Sequence, residues 1–294
     1  MDTDIYLRQR RELVEKALDS WLPSEETEPP LIHRAMRYSI FAGGKRIRPI
    51  LCLAAAEACG GDADAAMPAA CAVETLHTYT LIHDDLPCMD DDSLRRGRPT
   101  SHKMFGEGIA VLAGDALLTE AFALLIRTPE NDVYSTADYV RELAEAAGSR
   151  QLIGGQTLDL ESEGRPLSPD ELRTIHNGKT AALLTASLRL GGMSAGCRHS
   201  LLRALTDFGL KAGLAFQIID DILDVTSTPE LMGKTIGKDV RDAKATYPAL
   251  VGLDRAREEA RELVQGARSA LDAFPAAGKE TLAALNDYLF NRKF

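Results

Sequence analysis

At 294 residues and 45% hydrophobic content, the chain is long enough to bury a substantial core. A formal net charge of −10 excludes the basic footprint of a nucleic-acid-binding protein, so any polyanionic ligand must be held by local cations or by metal. Cys52, Cys59, Cys71, Cys88 and Cys197 are odd in number and show no CxxC spacing, and they read as reduced core thiols of a cytoplasmic protein.

The N-terminal segment is charged and lacks an apolar h-region, so no signal peptide is expected. Apolar residues then recur at three- and four-residue spacing, predicting helices over 5–21, 31–41, 49–59 and 65–83. The same pattern continues over 109–126, 135–153, 168–174, 181–190, 200–223, 254–271 and 279–290, an all-α fold of about ten or more helices. The apolar run 109–126 carries Asp115 and Glu120, which argues for a buried central helix and against a membrane span. Pro49, Pro68, Pro129, Pro169 and Pro248 are placed near helix starts, and Gly43-Gly44, Gly60-Gly61 and Gly191-Gly192 at helix stops. No segment reads as a linker, so residues 1–294 are taken as one domain.

Two aspartate clusters lie inside apolar helical runs, LIHDDLPCMDDD at 81–92 and FQIIDDILDV at 216–225. Burying an unpaired carboxylate costs several kcal/mol, so a cation is expected between them. Oxygen-only ligation suits Mg²⁺ or Mn²⁺ rather than zinc. In the second cluster Gln217, Asp220 and Asp224 share one helix face. In the first, Pro87 should end the helix near Leu86, leaving Asp84 in the last turn and Asp90 returning from a loop. His77 lies two turns before Asp84 on nearly the same face, where a histidine bonded to backbone is the bland alternative to a functional one. Cys88 sits among aspartates that disfavour its thiolate and is not read as a nucleophile.

Four basic segments accompany the acids: GGKRIRP at 43–49, RRGRPTSHK at 95–103, NGKT at 177–180 and MGKTIGKD at 232–239. Each alone reads as a solvated surface run. Together with two acidic clusters they make an inventory for diphosphate, one held through metal and one by side chains alone. No Walker-type glycine loop or kinase signature points to a nucleoside triphosphate.

The ordered set GGKRIRP, DDLPCMD, RRGRP, GKT, FQIIDDILD and GKTIGKD resembles the trans-isoprenyl diphosphate synthases, and its DDxxxxD form is most similar to the bacterial farnesyl diphosphate synthases. The resemblance implies a helical bundle around a deep central cavity and a homodimer. By position it implies Asp84, Asp90 and Asp220 as ligands of three Mg²⁺ ions, with Mn²⁺ a substitute, and Asp85, Asp221 and Asp224 supporting them. Arg95, Lys179 and Lys234 would hold the allylic diphosphate. Lys45, Arg48, His77 and Arg96 would hold isopentenyl diphosphate, with Arg292 closing over it. Thr180, Gln217 and the Lys179 carbonyl would shield an allyl cation, and the released diphosphate would take the final proton.

Tyr79 stands five residues before Asp84, where the family stops chains at fifteen carbons, so the resemblance implies farnesyl diphosphate as product. On an ideal helix Thr80, not Tyr79, is in line with Asp84. The DDLPCMD form also occurs in twenty-carbon synthases, so geranylgeranyl diphosphate is the alternative. A terpene cyclase is disfavoured because DDILD and GGKRIRP are both intact. A non-catalytic subunit would be expected to lose an aspartate or a diphosphate lysine, and a structural Ca²⁺ protein leaves the basic motifs unexplained.

Overall fold

Side-chain caps start several of the helices in the computed structural model, which describes residues 2–226 and 246–290. Asp2 accepts from Ile5 N at the head of α1 (Thr3–Trp21), and Asp62 from Asp64 N at the head of α4 (Ala63–Asp84). α2 (Pro30–Ile40) and α3 (Ile47–Ala58) lie between them. A two-stranded hairpin, β1 (Leu94–Arg95) and β2 (Arg98–Pro99), follows α4 and leads through α5 (Ser101–Phe105) into α6 (Glu107–Leu125). Capping boxes at Ser135–Asp138 and Ser168–Glu171 start α7 (Thr136–Ala147) and α9 (Pro169–His176), with α8 (Leu152–Glu161) between them. A π-turn over Asn177–Ala181 joins α9 to α10 (Ala182–Ser194). α11 (His199–Thr226), α12 (Tyr247–Val251), α13 (Leu253–Ala270) and α14 (Ala276–Phe290) complete an all-α bundle with more than ten helices among the described residues.

The main core is built where α3, α4 and α10 cross. Ala54, Ala55 and Ala56 of α3 and Ala69, Ala70 and Ala72 of α4 are fully buried, and small side chains let the packed helices approach closely. Gly191 sits so near the carbonyl oxygen of Cys52 that a Cβ there would overlap it, and Gly209 and Gly213 are pressed on Thr185 and Ala181 in the same manner. Gly191-Gly192 is therefore a crossing point inside α10, not the helix stop its composition suggests. Pro68 likewise lies within α4, and Pro49 is the third residue of α3.

Two further expectations change. The predicted helix over 135–153 is broken at Gly148, whose ψ of −177° leaves the helical region, and α8 begins afresh at Leu152. Gly154-Gly155 masked α8 in the sequence, yet Gly155 is there because Lys179 N would collide with a Cβ. α6 packs against α4 but is not buried throughout: Val111 is 39% and Leu112 54% exposed on its outer face. Among the described residues it is the one helix long and apolar enough to cross a membrane by length and composition.

Candidate functional site

Pro87 lacks an amide proton and disfavours helical geometry in the residue before it, and α4 ends at Asp84. The chain then curls back. Asp90 N donates to the Asp84 carbonyl at 2.9 Å, and Asp91, left-handed at φ 45°, donates to the Leu86 carbonyl at 3.0 Å. The turn places Asp84 and Asp90 side by side across six positions of sequence. Burial raises the Asp84 carboxyl to about 6 against partial relief from Lys179, and the Asp90 charge adds to the rise.

Asp85 points elsewhere. It is buried and accepts from Arg95 Nε at 3.0 Å and again from Nη2, while Asp92 lies 3.5 Å from the same Nη2. Burial raises the Asp85 carboxyl and the Arg95 bond opposes that rise, so Asp85 orients an arginine beside Asp84. Arg96 reaches the other way, donating to the Gly43 carbonyl with its guanidinium over Gly44, where any Cβ would collide. The second arginine is thereby tied to the GGKR turn.

Just past that turn, Arg48 in the first turn of α3 donates from Nη1 to His77 Nε2 at 3.2 Å. Arginine has no acceptor, so Nε2 is the unprotonated nitrogen. Burial first, then the Arg48 charge, lowers the His77 pKa well below the usual imidazole value, and the ring is neutral at physiological pH. Lys45 is exposed, with Nζ 5.9 Å from the centre of the Tyr288 ring on α14.

A cavity of about 400 Å³ opens between α4, α8 and the π-turn, within the usual range for a small-molecule site. Arg48, His77, Thr80, Asp84, Lys179 and Thr180 line it, with Leu152, Leu160 and Leu183 as apolar wall. The π-turn begins at Asn177-Gly178 and widens the helix without breaking it, a device frequent at functional sites. Lys179 Nζ donates to Asp159 Oδ2 at 2.6 Å. Asp159 was missed in the sequence because its helix was missed; Gln156 and Asp159, three apart in α8, are the signal that could have found it.

The second acidic cluster is linked through Thr180, whose Oγ1 donates to Gln217 Oε1 at 2.9 Å on α11. Gln217 Nε2 in turn reaches Asp221 Oδ1 at 3.4 Å. Asp221 is buried, accepts from Tyr247 N at 2.8 Å and lies 3.6 Å from His176 Nε2, so it anchors α12 to α11. Asp220 and Asp224 remain partly exposed. Lys234 and Arg292 lie outside the described residues.

The donor set fits a hard dication. His83 is turned onto the Val111 carbonyl at 3.0 Å and Cys88 is exposed on the loop, so carboxylate oxygens remain, and burial disfavours the Asp84 charge more than Lys179 and Arg95 favour it. Among the described residues no three acid, imidazole or thiol groups are already gathered around one point. Mg²⁺ suits such an open arrangement, because it keeps water and substrate phosphate ligands rather than filling an all-protein cage.

The polyprenyl synthetase family model matches residues 29–277. The chain is 50% identical to the heterodimeric geranylgeranyl pyrophosphate synthase large subunit 1, chloroplastic, of Arabidopsis thaliana, over 98% of this chain and 79% of that protein. It is 48% identical to the chloroplastic geranylgeranyl pyrophosphate synthase of Capsicum annuum, over 98% and 78%. In structure it is similar to an FPP/GFPP synthase from Zymomonas mobilis, with a TM-score of 0.88, 33% identity and 98% and 99% of the two chains covered. The chloroplastic names of these relatives correct the cytoplasmic expectation. Reduced cysteines mark a reducing compartment and do not single out the cytoplasm. The family match and a relative at half identity along nearly the whole chain agree with the six motifs and the helical bundle: the chain belongs to the polyprenyl synthetase family.

Proposed function

We propose that this prenyltransferase adds isopentenyl diphosphate to allylic diphosphates up to geranylgeranyl diphosphate, residues 1–294 acting as one unit. The observation that carries it is the convergence of Asp84, Lys179, Thr180, Arg48 and His77 on one cavity. Asp84, Asp90, Asp220 and Asp224 would hold Mg²⁺, which when bound neutralises charge on the departing diphosphate. Arg95, Lys179 and Lys234 bind the allylic diphosphate, and Lys45, Arg48, His77 and Arg96 bind isopentenyl diphosphate. The allylic C–O bond breaks, the isopentenyl double bond attacks the resulting cation to form a C–C bond, and a proton passes to the released diphosphate. Thr180, Gln217 and the Lys179 carbonyl present oxygen to the cation, and no enzyme nucleophile is required.

The twenty-carbon reading replaces the farnesyl expectation. It is supported by the geranylgeranyl names of relatives at 50% and 48% identity. Tyr79, whose ring stands edge-on to His83 at 5.3 Å and 89°, and the small Thr80 both line the cavity. The exposed Val111 and Leu112 on α6 support a homodimer. Incubation with Mg²⁺, labelled isopentenyl diphosphate and, in turn, dimethylallyl, geranyl and farnesyl diphosphate tests the proposal. A twenty-carbon product upholds it, a fifteen-carbon end point restores the farnesyl reading, and no incorporation moves a non-catalytic subunit to the front.

A further inference from the structure

Arg46 sits at the centre of the GGKRIRP motif and takes no part in the reading above. Its side chain is fully buried, with Nη1 2.7 Å from Glu74 Oε1, Nη2 donating to the Ile40 carbonyl and Nε 3.4 Å from Glu15 Oε1. Glu74 is 2% exposed. Arg46 is also left-handed, at φ 53°, following Gly43 at φ 91° and Gly44 at φ 122°. Only Arg46 of these three has a Cβ, and a non-glycine residue in this region persists where its surroundings over-determine it. The buried guanidinium fork supplies that constraint.

The same two segments meet a second time. Glu74 precedes His77 by three residues on α4, and Arg46 precedes Arg48 by two at the head of α3. Arg48 and His77 line the cavity and touch each other, whereas Arg46 and Glu74 do not line it. The buried pair is thus a rear joint and the Arg48–His77 contact a front joint between the same turns. We infer that Glu74 and Arg46 are positioning residues that set the spacing of Lys45, Arg48 and His77 for the non-allylic diphosphate. The allylic side, built on Asp84, Arg95 and Lys179, takes no hydrogen bond from this pair. The inference rests on the proposed reaction for the identity of the ligand, and on the two joints for its geometry.

The test is Glu74→Gln and Arg46→Lys, read by steady-state kinetics with each substrate varied and by calorimetric binding of isopentenyl diphosphate alone without Mg²⁺. Arg46→Lys keeps the buried pair charge-balanced, so it remains folded where Glu74→Gln leaves a buried cation short of a partner. Both variants are expected to weaken isopentenyl diphosphate binding and raise its KM about tenfold, as for one misaligned charge-assisted hydrogen bond, with the allylic KM changed less than about twofold. Equal rises in both KM values, or unchanged isopentenyl diphosphate binding in a folded Arg46→Lys variant, would overturn the inference. Wild-type binding without turnover would refute the proposed reaction and leave the positioning role standing.

Discussion

Asp84→Asn separates the cost of the site from its use. The carboxyl is raised from 3.8 to about 6, so its ionised form is disfavoured in the folded protein by roughly 3 kcal/mol at most. Partial opening to the cavity screens this to about 1–2 kcal/mol. For an acid with a raised folded-state pKa, the native state binds the proton more tightly than the unfolded chain. The penalty is absent below about pH 3.8, grows towards pH 6 and is constant above it. Metal-free Asp84→Asn should therefore melt about 2–3 °C above wild type at pH 8 and match it near pH 4. With Mg²⁺ and inorganic diphosphate the order should reverse. Ligand at 100 times its Kd adds about 2.7 kcal/mol to the protein that binds it, and the variant has lost a ligand. Thermal melts at pH 4 and pH 8, with and without Mg²⁺ plus diphosphate, read all four corners. A variant no more stable than wild type at pH 8 without metal, or an equal gain at both pH values, would refute the argument that burial of Asp84 is held in reserve for a cation.

Asp90→Ala and Asp220→Ala should each cut turnover by at least about 100-fold with unchanged far-UV circular dichroism; near-normal rates in either would remove it from the metal set. Tyr79→Ala should open the wall beside His83 and shift product towards longer chains, measured by chromatography of dephosphorylated products; an unchanged distribution would place the length limit elsewhere. Gly191→Ala should lower stability by about 1–3 kcal/mol or more, because its Cβ would overlap the Cys52 carbonyl where α10 crosses α3; an unaltered denaturant midpoint would show that the crossing yields.

Much of this architecture follows from local rules. Apolar spacing located the long helices to within a few residues, and Pro87 ended α4 at Asp84 because a proline restricts its predecessor whatever the tertiary context. Asp84, Arg48, Lys179 and Thr180 were singled out by the charged motifs and His77 by its spacing from Asp84, and all five line one cavity. The sequence could not tell a glycine that stops a helix from one that lets two helices touch. Gly155 and Gly191 are of the second kind, and misreading such residues concealed α8 and with it Asp159.

Partners across the chain were likewise beyond a local reading. The four aspartates Asp84, Asp85, Asp220 and Asp221 look alike in sequence. The fold gives Asp85 to Arg95 and Asp221 to the Tyr247 amide, and it sets Asp84 at the cavity, where burial raises its carboxyl. Composition and spacing determined which residue types stand on which helix face, because helical periodicity is a property of neighbours in the chain. Which carboxylate is neutralised by protein and which retains its demand for a cation depends on groups brought together from distant segments, and tertiary packing alone decided that.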